Sequence, residues 1–318
     1  MTGVSVVIPT HHRASGLAAA IDPLLSDDAT AEVIIVIDGA DAATVEVLEA
    51  MEDPGGRLRW YVLEPSQGAA RARWHGIRQA SCDIVLMLDD DERAHDGLVG
   101  GHLSHHQQGA HLLVVGSVHM DFGQERSVLD RVVARAYEKT YASAMSGFAS
   151  NPESILDGLW GGNVSAPRAD LLAMESEILR FPRLPHEDQH FGLVAKARGM
   201  AAIFDPALCA DHRYSRTWNA MLSDAEAFGQ AQQEIARLHP ELGDFDAEAI
   251  PERLNPAVEL AVRVSDIPWV AGAELILLKA ATWVTESVAA QLTAERLLFV
   301  ASQIARRRGR RESSDPPP

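Results

Sequence analysis

The strongest constraint on the fold is a regular alternation of short apolar runs with helix-like segments over residues 1–118. The apolar runs are continuous, which is typical of strands that are buried on both faces. Strands that alternate with helices predict right-handed crossovers and a mostly parallel, doubly wound α/β sheet flanked by helices. The predicted strands are 4–9, 32–38, 58–63, 83–88 and 111–118, and the predicted helices are 15–25, 41–51, 67–80 and 97–108.

The rest of the chain departs from this rhythm. A helix is predicted over 130–145, then a loop rich in Gly, Asn and Pro, a helix over 185–199, and a short strand with a polar turn over 201–214. From Trp218 onward the pattern is helical almost throughout, and the chain ends in a basic run and a proline-rich tail. We therefore predict an α/β domain over 1–217, a helical extension over 218–305 and a disordered tail over 306–318.

Charge and composition exclude some classes of function. The formal net charge of −17 argues against nucleic-acid binding, which needs basic surface. The chain has two cysteines, so we expect a reducing compartment and no disulfide scaffold. The sequence shows neither a basic signal-peptide region nor about 18 consecutive apolar residues, so we expect a cytoplasmic protein. The arginines at 306–308, 310 and 311 leave open a peripheral contact with anionic lipid at the inner face of the membrane.

Four consecutive acidic residues, Asp89 to Glu92, directly follow the predicted strand 83–88. In a doubly wound sheet, ligands bind beyond the carboxyl ends of the strands, and Asp38 follows a second strand of the same sheet. Adjacent carboxylates repel one another and are costly to desolvate, so a cation is expected beside them. The alternative interpretation is a solvated turn that contributes a carboxylate to a helix N-terminus.

Basic side chains near the strand ends favour a ligand site over a solvated turn. The guanidiniums and the imidazole come from Arg13, Arg71, Arg73, His212 and Arg213. Together with the carboxylates, they suit a divalent cation that bridges to an anionic phosphate. Hard oxygen ligands favour Mg²⁺ or Mn²⁺, and a histidine ligand favours Mn²⁺ of the two. The run is not an EF-hand loop, because the required glycine and the late bidentate glutamate are missing.

The segments "VSVVIPTHHR", "EVIIVIDGA" and "SQGAARARWHGIRQASCDIVLMLDDDE" resemble the N-terminal half of a family 2 glycosyltransferase of the GT-A fold. The resemblance covers about residues 3–93, in the same order and with the same spacing. Three later motifs, "GGN" at 161–163, "HED" at 186–188 and "DHR" at 211–213, lie where such enzymes keep an acceptor loop, a catalytic base and a late metal or phosphate contact. The resemblance implies a nucleotide-binding half over 1–118 and an acceptor-binding half over 119–217.

The resemblance also implies roles for single residues. The implied metal ligands are Asp89, Asp91 and His212, and Arg213 is the implied phosphate contact. The implied nucleotide-sugar contacts are Pro9, Thr10, Arg13, Asp38, Gly68, Arg73, Asp89 and Asp90. Two positions depart from the family pattern, since Trp74 stands where asparagine is frequent and Gln67 where lysine or asparagine is common. These departures leave the donor sugar open.

Asp188 is the residue that we expect to act as general base, in which case the anomeric configuration inverts in one displacement step. An acidic neighbour and partial burial would raise its pKa towards neutrality, whereas a helix N-terminus would lower it. The alternative is an acidic pair that only complements the helix dipole. The implied acceptor and sugar contacts are Trp160, Gly161, Gly162, Asn163 and Glu187, for which the alternative is an ordinary glycine-rich turn.

Four histidines, His102, His105, His106 and His111, resemble a metal cluster in the sequence. They lie on a polar predicted helix and the strand that follows it. We therefore interpret them as a solvated helix face.

Together these features predict an inverting, metal-dependent glycosyltransferase of the hexosyltransferase type, with a UDP-sugar as the favoured donor. One rival is a nucleotidyltransferase, which needs a glycine-rich loop where this chain has "PTHHRASG". The other rival is an inactive scaffold or binding protein of the same fold that acts through its helical tail. The sequence leaves open a polysaccharide, a lipid-linked sugar or a natural product as acceptor. It also leaves open dimerisation, acceptor binding or membrane contact as the role of the C-terminal helices.

Overall fold

The computed structural model describes residues 3–121, 128–184, 187–213, 218–242 and 299–310. The chain divides into two compact units. The first comprises Met1–Asp121, Ser143–Arg183 and Glu187–Tyr214, and the second comprises Phe122–Ala142, Leu184–His186 and Ser215–Pro318. The predicted division at residue 217 stays a prediction.

An eight-stranded sheet forms the centre of the first unit, with the strand order β3-β2-β1-β4-β7-β6-β8-β5. Neighbours from β3 to β4 are parallel, as are β6 and β8, whereas β7 pairs antiparallel with β4 and β6, and β5 pairs antiparallel with β8. The strands are β1 (Val4–Thr10), β2 (Thr30–Asp38), β3 (Leu58–Leu63), β4 (Ile84–Met87), β5 (Glu92–Ala94), β6 (Leu112–Asp121), β7 (Val164–Pro167) and β8 (Ala201–Arg213). The predicted α/β class with a mostly parallel sheet flanked by helices is confirmed, and the structure adds the antiparallel strands β5 and β7.

The loop predicted after the helix 130–145 was wrong in part, because pairing to β4 and β6 makes Val164–Pro167 a strand and a helix follows it at Arg168–Ile178. The other helices follow the strands in the order that the sequence pattern predicts. In chain order, the helices are α1 (Ala14–Ser26), α2 (Ala42–Ala50), α3 (Ala69–Gln79), α4 (Leu98–His106), α5 (Val128–Ser150), α6 (Arg168–Ile178), α7 (Glu187–Ala197) and α8 (Trp218–Leu238). Short 3₁₀ turns lie at Pro152–Ser154 and Pro240–Leu242. A further helix spans residues 299–310. Among the described residues, no helix combines the length and the apolar character needed to cross a bilayer.

Two apolar layers cover the faces of the sheet, because successive side chains of a strand point to opposite faces. Val7 and Val36 face one layer, which includes Trp74 of α3, and Ile8 faces the other, which includes Leu17 of α1. Helix α3 lies very close to β1, since a Cβ on Gly76 would come within 2.5 Å of a Val7 methyl group. This close packing fixes the position of α3, and with it the polar side chains at its N-terminal end.

Two further predictions about the C-terminal half were wrong. The polar turn expected at "DHR" is part of β8, where backbone pairing to β5 and β6 extends the strand to Arg213. The tail does not begin at residue 306, because the helix over 299–310 continues through it. In the second unit this helix packs closely on α8, and Cβ atoms on Gly229 or Gly309 would overlap the facing backbone. The rest of the predicted helical extension, 243–298, and the end of the tail, 311–318, lie outside the described residues.

Candidate active site

The carboxyl ends of β1, β2 and β4 lie side by side, because these strands are parallel neighbours in the sheet. The hydroxyl of Thr10, at the end of β1, donates a hydrogen bond of 2.7 Å to Oδ2 of Asp90. Burial raises the pKa of Asp90 to about 6. Pro9 precedes Thr10 within β1 and pairs with Val36 of β2. The acidic run and the end of β1 therefore form one polar edge.

Asp91 is held by two basic side chains from different parts of the chain. Arg13 forms an ion pair with Oδ2 of Asp91, and its Nη1 lies 3.7 Å from Oδ1 of Asp90. Nε2 of His212, on β8, lies 3.2 Å from Oδ1 of Asp91. Burial alone would raise the pKa of Asp91, but His212 and Arg13 outweigh it and hold this pKa below its usual value. Burial opposes the charged form of His212, yet Asp91 raises the pKa of the imidazole, so the two form an ion pair.

Arg73 connects the acidic run to the start of α7. Its Nη2 donates to Oδ1 of Asp89 over 2.9 Å, and its Nη1 lies 3.5 Å from Oε1 of Glu187. The guanidinium is buried, and the surrounding carboxylates raise its pKa despite the burial. Burial also raises the pKa of Glu187, which the charge of Arg73 only partly offsets. One buried cation thus joins the acidic run to Glu187, which lies 114 residues after Arg73 in the chain.

Asp188 lies in the first turn of α7, with its carboxylate turned towards the loop before β7. Oδ2 accepts a hydrogen bond of 3.0 Å from the backbone N–H of Gly161, and Oδ1 accepts one of 2.9 Å from Gln189 N–H. Burial raises the pKa of Asp188 above the usual value for aspartate, although these two hydrogen bonds and Arg73 act in the opposite direction. Gly161 allows this approach, since a Cβ there would lie 3.1 Å from the Cβ of Asp188.

Glu92 is a buried carboxyl group that the sequence analysis left out of the site. It begins β5 and pairs with His212 of β8, and its side chain points in beside the acidic run. Oε2 accepts a hydrogen bond of 3.2 Å from the backbone N–H of Asp89. Burial raises the pKa of Glu92 to about 8. Gly162 lies directly against this carboxyl group and leaves no room for a Cβ.

Asp38 organises the loop between β3 and α3. Its carboxylate accepts hydrogen bonds from the Ser66 hydroxyl (2.7 Å) and from the backbone N–H groups of Gln67 (2.5 Å) and Gly68 (2.8 Å). Burial opposes ionisation of Asp38, but these donors hold its pKa below the usual value. Gly68 has a φ of +97° and lies against the side chain of Arg183, so a larger residue would be strained there. Asp38 thus shapes the loop that precedes α3.

Asn163 is fully buried, and its amide group is used within the fold. Nδ2 donates to the carbonyl oxygens of Ser117 (2.9 Å) and Leu208 (2.8 Å). Oδ1 lies 2.9 Å from Nε2 of His102, which is also fully buried. The interpretation of His102 as part of a solvated helix face was therefore wrong. Trp160, at the other end of the glycine-rich loop, is partly buried and packs against the apolar core.

Burial lowers the pKa of His102 to about 4, so its ring is neutral. Because an amide oxygen only accepts hydrogen bonds, the His102 Nε2–H donates to Asn163, and Nδ1 accepts from the Ser165 hydroxyl over 2.8 Å. Nε2 of His106 lies 2.8 Å from the same hydroxyl oxygen. His105 and His111 lie 2.8 Å from Asp205 and Asp170, respectively. His102 and His106 of α4 therefore contact Asn163 and Ser165, at and just after the end of the glycine-rich loop.

Two of the three predicted metal ligands lie together. A carboxylate oxygen of Asp91 and the imidazole of His212 are 3.2 Å apart, and this donor pair suits a divalent cation of intermediate hardness. Asp89 is paired with Arg73, and Arg13 occupies the second oxygen of Asp91. Arg213 follows His212, and its backbone N–H donates to the carbonyl oxygen of Asp91 over 2.8 Å. Asp91 and His212 could therefore hold a divalent cation between them. Asp89 lies two residues before Asp91, just after the end of β4.

Residues 5–143 match the family model described as Glycosyl transferase family 2. The chain is 28% identical over 165 residues to the succinoglycan biosynthesis protein ExoU of Rhizobium meliloti, an alignment that covers 52% of this chain and 44% of that protein. It is 30% identical over 106 residues to the GalNAc(5)-diNAcBac-PP-undecaprenol beta-1,3-glucosyltransferase of Campylobacter jejuni, which covers 33% of each chain. The chain thus spans less than half the length of these two relatives.

A solved structure with a similar fold is the mannosyltransferase PcManGT from Pyrobaculum calidifontis, in complex with GDP-Man and Mn²⁺. The TM-score is 0.58 at 18% sequence identity, and the match covers 94% of this chain and 85% of that one. At this identity the likeness establishes the fold, which is GT-A.

Proposed function

We propose that this chain, which has the GT-A fold, is a family 2 glycosyltransferase that transfers a sugar from a nucleotide-sugar to a hydroxyl acceptor. A UDP-sugar is the favoured donor. The reaction is a single displacement in which Asp188 accepts the proton of the attacking hydroxyl and the anomeric configuration inverts. The enzyme is a hexosyltransferase that depends on a divalent metal ion.

The observation that carries this proposal is the bridge that Arg73 forms between Asp89 and Glu187. Glycosyl transfer requires a site for the leaving diphosphate and a base for the acceptor, both close to one anomeric carbon. Asp89 lies at the strand ends where nucleotide ligands bind in such sheets, and Glu187 directly precedes Asp188. The bridge therefore supports a diphosphate site and a base that serve the same reaction centre.

Asp188 has the properties of a general base. Burial raises its pKa, which brings its basicity closer to what proton abstraction near neutral pH requires. The backbone N–H groups of Gly161 and Gln189 hold both oxygens in position without neutralising the charge. Glu187 directly precedes Asp188 in the chain, and burial raises its pKa as well. It places a second carboxyl group beside the acceptor pocket. The acceptor hydroxyl would approach from the glycine-rich loop that includes Gly161 and Gly162.

Cationic groups at the strand ends suit an anionic leaving group. The guanidinium of Arg13 pairs with Asp91 and that of Arg73 with Asp89, and Arg213 follows His212 at the end of β8. On donor binding, these side chains can exchange their carboxylate partners for phosphate oxygens. A divalent cation held by Asp91 and His212, with Asp89, would neutralise the charge that develops on the diphosphate.

The names of similar proteins support a hexosyl donor and a metal ion. The structural neighbour is a mannosyltransferase that was solved with GDP-Man and Mn²⁺, and the Campylobacter relative is named as a glucosyltransferase. The Rhizobium relative is named for succinoglycan biosynthesis, and the name of the Campylobacter relative includes an undecaprenol-linked sugar. These names favour a polysaccharide or a lipid-linked sugar as acceptor over a small natural product.

Calorimetric titration with UDP, GDP and dTDP, each with and without Mn²⁺, tests this function. We expect metal-dependent binding of one nucleotide by the wild type and its loss in Asp91→Ala. The matched control is Asp28→Ala, which removes an exposed carboxylate from the turn before β2. If the folded wild type binds none of these nucleotides, the transferase proposal fails and an inactive scaffold becomes the better interpretation.

A further inference from the structure

A second group of metal-binding side chains lies on β8 and its two neighbouring strands, and the proposed reaction does not use it. Cys209 and Asp211 belong to β8, and His119 on β6 is the register partner of Asp211. His95 directly follows β5, and its backbone N–H donates to the carbonyl oxygen of Cys209 over 3.0 Å. Three segments of the chain thus bring a thiol, two imidazoles and a carboxylate together.

The distances between these groups are close to those of a coordination site. One ligand atom from each of His95, His119 and Cys209 lies within 4.8 Å of the others. Oδ1 of Asp211 lies 2.8 Å from Nε2 of His95 and 3.9 Å from Nδ1 of His119. The two imidazole rings are nearly perpendicular, with their centroids 5.8 Å apart.

This group is separate from the strand-end site around Asp91. Consecutive residues of a strand point to opposite faces of the sheet, and His212 directs its imidazole towards Asp91. Asp211 and Cys209, at odd spacing from His212, therefore face the other side of β8. Their contacts agree with this alternation, since Asp211 reaches His95 and His119.

The donor set selects a particular kind of ion. Thiolate and imidazole ligands with one carboxylate are typical of tetrahedral Zn²⁺ sites, whereas Mg²⁺ and Ca²⁺ prefer oxygen ligands alone. In a tetrahedral zinc site, neighbouring ligand atoms are about 3.4–3.6 Å apart, given the usual zinc–nitrogen and zinc–sulfur bond lengths. The three ligand atoms need to converge by about 1 Å. The imidazoles can do this by rotating their side chains, because His119 is 68% and His95 43% exposed.

We propose that His95, His119 and Cys209, with Asp211, form a Zn²⁺ site that ties β5, β6 and β8 together. Asp211 either supplies the fourth ligand or accepts a hydrogen bond from a ligating imidazole, and both arrangements favour the bound cation. A His95–Asp211 ion pair without metal explains two of these residues. It does not account for the buried Cys209 thiol and the His119 imidazole, whose ligand atoms lie within 4.8 Å of each other and of that of His95. Zinc binding here is independent of whether the chain transfers a sugar.

Cobalt substitution tests the site directly, because Co²⁺ bound by a thiolate has an intense charge-transfer absorption that oxygen and nitrogen ligands do not produce. Full-length protein freed of metal with a chelator is titrated with Co²⁺ and then with Zn²⁺. We expect the thiolate absorption to appear, to indicate tetrahedral geometry and to disappear when Zn²⁺ displaces the cobalt. Zn²⁺ should also raise the midpoint of thermal unfolding.

Variants distinguish cobalt bound at Cys209 from cobalt bound at Cys82 or at the strand-end site. Cys209→Ser should abolish the thiolate absorption, and His119→Ala should weaken cobalt binding at least tenfold. The matched control Cys82→Ser, which removes the other cysteine, should leave the absorption unchanged, as should Asp91→Ala, which disrupts the strand-end site. Asp91→Ala should bind one equivalent of Co²⁺ with the thiolate signal.

The proposal is overturned if the folded wild type gives no thiolate absorption, or if Cys82→Ser removes it and Cys209→Ser does not. Cys209 is buried, so its variant is first checked for folding by circular dichroism. If that variant does not fold, the exposed His95→Ala and His119→Ala variants decide the question. Unchanged cobalt affinity in both of them would contradict the site.

Discussion

Nη2 of Arg73 lies 2.9 Å from Oδ1 of Asp89, so a helix that packs on the sheet holds the first carboxylate of the acidic run. The close packing of α3 on β1 at Gly76 sets the position of this contact. Any change at Arg73 therefore affects the strand end directly, while the rest of α3 keeps its place against the core.

Arg73→Ala should weaken nucleotide binding about 10- to 100-fold, because charge-assisted hydrogen bonds to a phosphate are worth about 1.5–3 kcal/mol. The midpoint of thermal unfolding should also fall, since Glu187 loses a cation in a buried setting. Calorimetry with the bound nucleotide and thermal unfolding measure the two effects. Arg71→Ala, on the exposed face of the same helix, is the control and should change neither. Equal effects of the two variants would show that Arg73 contributes only a positive charge, without a specific contact to the nucleotide.

Asp188→Asn should reduce the rate of transfer about 10²–10⁴-fold while nucleotide binding is retained, since only the base is lost. Wild-type activity should fall as the pH drops through the pKa of Asp188, which burial raises, because the carboxylate must be ionised to accept a proton. The asparagine variant should lack this acidic limb in its residual activity. A pH profile of kcat/KM for both proteins, with Asp28→Asn as the control, measures this. If Asp188→Asn transfers the sugar at the wild-type rate, Asp188 is not the base and another group accepts the proton.

His212→Ala should change which metal supports nucleotide binding. The imidazole favours Mn²⁺ over Mg²⁺, so its loss should raise the Mn²⁺ concentration needed for half-maximal nucleotide binding about tenfold, with a smaller effect for Mg²⁺. Titration of each metal at a fixed nucleotide concentration measures the preference. His111→Ala, which removes an exposed imidazole, is the control. If His212→Ala leaves the Mn²⁺ dependence unchanged, His212 is not a ligand.

Glu92 should make stability depend on pH in the metal-free protein. Its pKa is 4.5 when unfolded and about 8 in the fold, because burial favours the neutral acid. Between these values the folded state holds a proton that the unfolded state has lost. The free energy of unfolding should therefore fall as the pH rises from about 4.5 to about 8, and this contribution should level off above that.

Glu92→Gln removes the titrating group and keeps an oxygen that can accept from Asp89 N–H. The variant should be more stable than the wild type at pH 8, and the difference should shrink towards pH 5. Urea unfolding across this pH range measures it, with the exposed Glu49→Gln on α2 as the control. A difference that does not change with pH would show that Glu92 is ionised in the fold throughout.

The fold and the strand-end residues could be predicted because both depend on local patterns. The apolar runs at β1, β2 and β4 are continuous, so their burial and parallel pairing follow from the sequence. The acidic run and Asp38 were found because polar residues directly after such strands have a known location in the sheet. Thr10, Arg13 and Arg73 do contact this edge.

The remaining features depend on long-range pairing that a local pattern does not contain. "DHR" reads as a polar turn, but pairing to β5 and β6 makes it a strand with two polar faces. In the sequence, Glu92 resembles a further solvated acidic residue of the run. In the structure it is buried, because β5 pairs with β8 and places it next to His212. The local sequence gives one indication of this burial, which is that Glu92 and Ala94 alternate with the exposed Arg93 as in a short strand. Likewise, no spacing along the chain relates His95, His119 and Cys209, which meet through strand register.

The variant Asn163→Ala tests whether Asn163 contacts the sugar or only stabilises the fold. Asn163→Ala leaves two buried carbonyl oxygens and the His102 ring without the partner they have now, and it places alanine at a φ of +54°. We expect a loss of about 3 kcal/mol in the free energy of unfolding, with an unchanged KM for the acceptor in the protein that remains folded. Urea unfolding and acceptor kinetics measure the two quantities, and the exposed Asn151→Ala is the control. A raised KM with unchanged stability would instead mean that the amide turns towards the sugar when substrate binds, as the resemblance to family 2 glycosyltransferases implies.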